Sequence, residues 1–295
     1  MDSRLVGCGT ALVTPFAPGG AIDERALRGL VDWQIDEGID FLVPCGSTGE
    51  AATMSVDEHV RVVEITVQQA KERVPVVAGA GSNDTVKAIE LSRRVREAGA
   101  THLLHVSPMY SKPPQRGIVA HFTAIADAVD LPIILYNVPS RTGGNIDAST
   151  TLELSRHPRI VGIKEASGNL AQVTDCMSAR NASFTVLSGD DELTLPILVL
   201  GGDGLISVIS NATPRLMTQL VRAGREGRFD EARPLHQRLL PWMRAAFVES
   251  NPLPVKAAMA MLGKCENVLR SPLVPLADGR YDLVRDALRA AGALQ

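Results

Sequence analysis

The sequence predicts an α/β protein: a TIM (β/α)8 barrel with a C-terminal helical extension. Eight short apolar runs rich in Val, Ile and Leu recur at fairly even intervals between residues 9 and 211. The runs are continuous rather than alternating, as expected of strands covered on both faces in a parallel sheet. Stretches with helical spacing lie between them. A βα unit repeated eight times is the arithmetic of a closed barrel, whereas a doubly wound open sheet rarely keeps eight such even repeats.

Taken in order, the predicted strands are GTALVTPF (9–16), DFLVPCG (40–46), VPVVAGAG (74–81), THLLHVSP (101–108), LPIILYNV (131–138), RIVGIKEAS (159–167), SFTVLSGD (183–190) and DGLISVISN (203–211). Val56, Val60, Val63, Val67 and Ala70 keep helical spacing, as do Ala88, Leu91, Val95 and Ala98, and these segments open on acidic or hydroxyl residues. From about residue 212 the pattern is helical only, through 212–228, 230–248, 254–262 and 281–293, punctuated by Pro234, Pro241, Pro252, Pro254, Pro272 and Pro275. No low-complexity linker separates this material from what precedes it. The expected division is a catalytic barrel over 1–225 and a helical domain over 226–295.

A chain of 295 residues, 45% apolar, can bury a large core. A net charge of −3, no basic runs and only 4% aromatic residues argue against a nucleic-acid partner. Small molecules and copies of the chain itself are the expected partners. The start, MDSRLVGCGT, lacks the basic and long apolar regions of a signal peptide, and no apolar stretch is long enough to span a membrane, so a cytoplasmic location is expected. Cys8, Cys45, Cys176 and Cys265 are scattered without a C-x-x-C pair and read as ordinary buried thiols.

Barrel active sites lie at the C-terminal ends of the strands. The chain has six lysines against twenty-four arginines. Lys71, Lys87, Lys112, Lys256 and Lys264 sit where a solvated or snorkelling ammonium is easy. Lys164 does not, because IVGIKEAS is a central strand in which an ammonium loses hydration and its pKa falls. Such a lysine at a barrel mouth suits Schiff-base formation with a carbonyl substrate. The alternative, a pair with Glu165, conflicts with the opposite directions of adjacent strand residues.

Tyr136 ends the preceding strand, so its ring is expected beside Lys164, either relaying protons or filling the barrel. GSTGE, with Ser47 and Thr48, combines hydroxyls with glycines that let backbone N–H groups approach a carboxylate; a helix N-cap explains part of it. Arg141 follows Pro139 in a loop, placed either for bidentate recognition of a carboxylate or simply in solvent. Tyr110, Gly189 and the segment from Ser207 to Asn211 complete the polar strand ends.

Six histidines form no H-E-x-x-H or other close ligand cluster, which disfavours metal-dependent chemistry. His59, His102 and His105 read as structural. The acidic SGDDE loop disfavours a phosphorylated substrate, and GAGSND completes no dinucleotide fingerprint.

Across nearly the whole chain, TALVTPF, GSTGEAATM, GAGSND, SPMYSKPPQRGIVAHF, YNVPSRTG, GIKEASGNL, SGDDE, GLISVISN and FVESNPLPVKAAMAMLG resemble the pyruvate-dependent class I lyases typified by dihydrodipicolinate synthase and N-acetylneuraminate lyase. YNVPSRTG, with Arg141, and ESNPLPVK resemble the dihydrodipicolinate synthase branch. That resemblance implies condensation of pyruvate with L-aspartate 4-semialdehyde on the diaminopimelate route to lysine, in a homotetramer built as a dimer of dimers.

The resemblance assigns the imine to Lys164 and proton transfer to Tyr136. Ser47 and Tyr110 complete a hydroxyl relay, with Tyr110 reaching in from a neighbouring subunit. Thr48 takes the pyruvate carboxylate, Arg141 the carboxylate of the semialdehyde, and the backbone near Ile206 and Gly189 lines the pocket. No metal or organic cofactor is implied, only the covalent imine of pyruvate with Lys164.

Ser47 departs from the threonine usual in that branch, and GSTGE is the form common among neuraminate lyases; a serine rotamer is less fixed than that of a β-branched threonine. The alternative activity is an aldolase or dehydratase acting on a 2-keto-3-deoxy sugar acid or related keto acid. A non-catalytic barrel is disfavoured because both Lys164 and Tyr136 are kept. Lysine-inhibited relatives carry a histidine, a glutamate and a tyrosine where this sequence has Val56, Lys87 and Met109 beside His59 and Asn83, which implies weak or absent feedback by lysine.

Overall fold

The computed structural model describes residues 4–295. The first three residues of the MDSRLVGCGT start lie outside the described part. Strands β1 (Gly7–Ala11), β2 (Phe41–Val43), β3 (Val77–Gly79), β4 (His102–Val106), β5 (Ile133–Asn137), β6 (Ile160–Glu165), β7 (Thr185–Ser188) and β8 (Gly204–Ser207) each fall within, or within two residues of, a predicted run. All strand pairs are parallel, in the order β2-β1-β8-β7-β6-β5-β4-β3. The parallel bridge Leu42↔Val76 and the hydrogen bonds from Leu42 N to Pro75 O (3.0 Å) and from Gly79 N to Pro44 O (3.0 Å) join β2 to β3 and close the barrel.

The continuous apolar runs have a direct cause. Alternate residues of each strand point inward and outward, and both directions are dry. Ala11, Phe41, Val43, Val77, Leu104, Ile134, Leu187 and Ile206 fill the barrel interior. Leu42, Ala78, Leu103, Leu135, Ile163, Val186 and Leu205 meet the surrounding helices. Gly9 leaves room for the Phe41 ring, since a Cβ there would lie 2.0 Å from it.

Helices α1 (Glu24–Asp36), α2 (Val56–Ala70), α3 (Thr85–Glu97), α4 (Gln115–Ala128), α5 (Pro139–Thr142), α6 (Ala148–Leu154), α7 (Leu170–Ala179), α8 (Thr194–Val199) and α9 (Pro214–Arg225) alternate with or follow the strands. Their starts are chemically marked. Asp23, Asp84 and Asn169 accept first-turn N–H groups of α1, α3 and α7, while Ser55 and Glu58 form a capping box on α2. The predicted apolar stripe of α2 is rotated in the fold: Val56 is 49% exposed, and His59, Val62, Val63, Ile65, Thr66 and Ala70 make the buried face.

Helices α10 (Phe229–Ala245), α11 (Leu253–Met261) and α12 (Tyr281–Ala291) form the C-terminal part. Helix α10 packs on α9 and α12, and the core is continuous: Leu239, Trp242, Val255, Met259 and Val284 join the same buried cluster as the barrel's outer face. The Trp242 indole N–H donates to Ile209 O at 3.3 Å, tying α10 to the end of β8. This packing brings residues 243–251 over the barrel mouth, where Met243, Arg244, Phe247, Glu249, Ser250 and Asn251 form one wall of a cavity.

Candidate active site

Strand β6 presents Lys164 inward, and its register partner on β5 is Tyr136. The lysine Nζ lies 4.3 Å from the centroid of the tyrosine ring, the neighbourly arrangement expected from the sequence. Glu165, the alternative partner, points to the other face. It accepts from Asn137 Nδ2 (3.0 Å), Gln172 Nε2 (2.9 Å) and Ser167 N (2.6 Å), which satisfies it without the lysine.

Lys164 is only 5% exposed. Burial lowers its pKa to about 7, with Asp191 opposing the shift and the Arg141 charge adding to it. An amine with that pKa is substantially unprotonated near neutral pH and is a nucleophile. Burial also raises the Tyr136 phenol above its usual value, and Arg141 offsets part of that. Gly189 makes space for the lysine stem: a Cβ at this position would lie 3.0 Å from both Cγ and Cε of Lys164 and 2.7 Å from Ala166 Cβ.

A cavity of about 700 Å³ opens above the lysine, lined by Ser47, Thr48, Tyr136, Arg141, Lys164 and Gly189 among others. Six of the eight predicted site residues are therefore brought together. Ser47 and Thr48 stand on the strap after β2, pinned by Thr14 Oγ1 donating to Gly49 O at 2.7 Å and by Glu50 N donating to Ser47 O at 3.1 Å. Neither hydroxyl caps a helix; Ser55 does that for α2, so the N-cap explanation of GSTGE is set aside. Arg141 sits on the short helical turn α5 rather than in an open loop, and its Nη2 donates to Asn251 O at 3.3 Å.

The remaining two residues lie elsewhere. Ile206 does not line the cavity. Its side chain is fully buried in the barrel interior, and Val208, two residues further along, is the part of this stretch of backbone that reaches the cavity. Tyr110, expected to act from a neighbouring subunit, does not line the cavity of its own chain: it is 90% exposed, with φ at +71°.

One expectation is corrected, that for Lys256. Far from being solvated, it is fully buried in α11, ion-paired to Glu50 Oε1 at 2.5 Å, donating to Val268 O at 2.6 Å and lying 4.1 Å from the Phe16 ring centroid. The surrounding LPVKAAMAM is apolar, and the compensating charge comes from GSTGE, far away in sequence. Lys264, by contrast, does snorkel, over the Trp33 ring at 4.3 Å.

Sequence reasoning passed over two further residues. Asp191, after β7, is 2% exposed and accepts from Ser207 Oγ (2.5 Å), Val208 N (3.1 Å) and Ile209 N (3.4 Å); burial raises its pKa to about 6 against these bonds. Asn251, 6% exposed, donates from Nδ2 to Thr48 Oγ1 at 2.9 Å. A signal for it existed in the polar start of NPLPVK, inside an otherwise apolar segment.

A second cavity, of about 770 Å³, is lined by Val56, His59, Asn83, Lys87 and Met109. His59 is structural, as read, with Nε2 2.7 Å from Gly79 O. Among the described residues no group of three or more His, Cys, Asp or Glu side chains is arranged to hold a metal, and no helix is long and apolar enough to cross a membrane.

The sequence model of the dihydrodipicolinate synthetase family matches residues 4–291. The chain belongs to the dihydrodipicolinate synthetase family. Among its relatives in that family, the 4-hydroxy-tetrahydrodipicolinate synthase of Koribacter versatilis is 50% identical over 293 residues, covering 99% of this chain and 98% of the relative. The enzyme of the same name from Pelobacter propionicus is 52% identical over 284 residues, 96% of this chain and 98% of that one. The dihydrodipicolinate synthase structure from Aquifex aeolicus superposes with a TM-score of 0.96 at 41% identity, covering 98% of this chain and 99% of that one. The chloride-inhibited dihydrodipicolinate synthase from Acinetobacter baumannii, solved in complex with pyruvate, gives 0.97 at 39% identity over 99% and 100% of the two chains. The barrel and its helical extension are thus those of the dihydrodipicolinate synthetase family.

Proposed function

We propose that the protein is a 4-hydroxy-tetrahydrodipicolinate synthase, condensing pyruvate with L-aspartate 4-semialdehyde in the diaminopimelate route to lysine. The observation that carries this reading is a buried Lys164, its pKa lowered to about 7, beside Tyr136 at the floor of a cavity whose rim holds Arg141. The family relatives that share the fold at close to full length support it.

In this mechanism the unprotonated Lys164 Nζ attacks the pyruvate C2 carbonyl, and the carbinolamine loses one water to give the imine. Loss of a C3 proton yields the enamine, which attacks the aldehyde carbon of the semialdehyde. The substrate amine then adds to C2 and displaces Lys164, closing the ring and returning the free lysine. The imine itself is the electron sink, so the chemistry calls for neither a metal nor an organic cofactor.

Tyr136 is placed to carry protons to and from the carbinolamine. Ser47 and Tyr110 extend that relay. Tyr110, exposed on its own chain, suits a role in the cavity of a neighbouring subunit of a homotetramer. Thr48 receives the pyruvate carboxylate and Arg141 that of the semialdehyde, with the Gly189 backbone closing one side. A cytoplasmic location accords with such a biosynthetic role, and a division into a barrel over 1–225 and a helical part over 226–295 accords with a C-terminal segment that carries Asn251 to the mouth.

Borohydride reduction in the presence of pyruvate is expected to leave a reduced adduct on Lys164, and a coupled assay to show turnover with aspartate semialdehyde. No adduct would overturn the Schiff-base reading. An adduct together with cleavage of keto-deoxy sugar acids, and no turnover of the semialdehyde, would assign the related aldolase activity instead.

A further inference from the structure

We infer that Asn251 is a positioning residue that fixes which way the Thr48 hydroxyl points. The inference rests on the proposed role of Thr48 as a carboxylate ligand. It starts from the inventory of a hydroxyl group, which has one proton to give and two lone pairs. Asn251 Nδ2 donates to Thr48 Oγ1 at 2.9 Å, and the pair is buried. The lone pair facing Asn251 is therefore occupied, and the hydroxyl proton must leave in another direction. Among the described residues no protein acceptor takes it, and Thr48 lines the cavity above Lys164. The proton is thereby presented to an anion in that cavity.

The other end of the same amide is unpaired. Asn251 Oδ1 is buried without a hydrogen-bond partner. An orphaned acceptor destabilises the fold, and a well-satisfied core would not retain it. Here the amide keeps its NH2 group on Thr48 and leaves its oxygen unpaired. Its backbone takes part as well, because Asn251 O accepts from Arg141 Nη2 at 3.3 Å. One residue of the C-terminal segment thus touches two cavity-lining side chains, Thr48 and Arg141.

The segment is held in register by a second, charged contact. Lys256, five positions further on, is ion-paired to Glu50, which stands two positions beyond Thr48. Arg270 N also donates to Glu50 Oε2 at 3.1 Å. The strap that carries Ser47 and Thr48 is therefore joined to the C-terminal part of the chain at both Thr48 and Glu50. The buried ion pair fixes the backbone on either side of the Asn251–Thr48 contact.

The test is the pyruvate dependence of borohydride trapping in the full-length protein, a readout of keto-acid binding that needs no second substrate. Asn251→Ala is expected to raise the half-saturating pyruvate concentration about tenfold, with the maximal trapping rate changed by less than about threefold. In a Thr48→Val background the same substitution should add less than about twofold, because the hydroxyl it orients is gone. Asn251→Asp keeps the side-chain shape but can only accept; it should capture the Thr48 proton and weaken pyruvate more than alanine does. It also serves as the variant to measure if the alanine protein loses its circular dichroism.

Unchanged half-saturation in Asn251→Ala, full multiplicative effects in the double variant, or Asn251→Asp binding pyruvate as well as wild type would each overturn the inference. Failure of the wild-type protein to trap pyruvate would instead overturn the functional reading on which it rests.

Discussion

Tyr136 and Lys164 occupy the same layer of the barrel interior, paired in register across β5 and β6 with the lysine Nζ 4.3 Å from the ring centroid. Two strands that twist together hold two reactive side chains at a distance that neither side chain sets for itself. Most expectations for the chemistry follow from this pair.

Replacing Lys164 should separate stability from activity. Its pKa is about 7 in the fold against an ordinary 10.5, so the fold disfavours the charged form. That penalty is absent above about 10.5, grows as pH falls toward 7, and stays constant below. Lys164→Met should therefore abolish pyruvate trapping and yet raise thermal stability at pH 7 by an amount of order a few kcal/mol, with the gain shrinking toward pH 10. In the wild-type protein the rate of imine formation should rise with pH and level off above about 7. A stability loss in Lys164→Met at neutral pH would contradict the desolvated amine.

Tyr136→Phe keeps the ring against Lys164 and removes only the hydroxyl. The melting temperature should hardly change, while turnover falls about 10² to 10⁴-fold, the range for a lost proton-transfer group. Rapid-quench measurement of imine formation and of overall turnover should both show the loss. Near-normal rates would make the tyrosine a filler of the barrel.

Arg141→Ala should leave pyruvate trapping close to normal and lower kcat/KM for the carboxylate-bearing aldehyde by about 30- to 150-fold, corresponding to a charge-assisted hydrogen bond of about 2–3 kcal/mol. Arg141→Lys should recover only part, since an ammonium cannot make the bidentate contact. Equal losses with pyruvate alone would move Arg141 to the first half-reaction.

Lys256→Met leaves Glu50 buried without its counter-charge and is expected to cost about 3–5 kcal/mol, read from urea unfolding. The double variant Lys256→Met, Glu50→Leu should regain much of that. If the single variant costs less than about 1 kcal/mol, water reaches Glu50 and the pair is not the joint between the strap and the C-terminal helices.

Lys87 lines the second cavity, at one of the positions from which the resemblance implies weak or absent feedback by lysine. Millimolar L-lysine is expected to leave turnover of the purified enzyme essentially unchanged. Micromolar inhibition would show that Lys87 turns away from the bound effector.

The sequence by itself determined the barrel and its strand ends. Continuous apolar runs are legible because both faces of a parallel strand are dry, and Lys164 stands out because a run such as IVGIKEAS offers an ammonium no water. Lys256, grouped by sequence with the lysines free to be solvated or to snorkel, is instead buried, because the answering charge, Glu50, lies far off in sequence. For Ile206 the resemblance pointed to the right stretch of chain, and only the fold shows that Val208, one alternation further on, is the residue at the mouth. Asn251 could not be weighed at all until α10 and α11 had folded back over the barrel and set its amide on Thr48. Local pattern reports what a residue's own neighbours allow; a partner two hundred positions away in the chain is supplied only by tertiary packing.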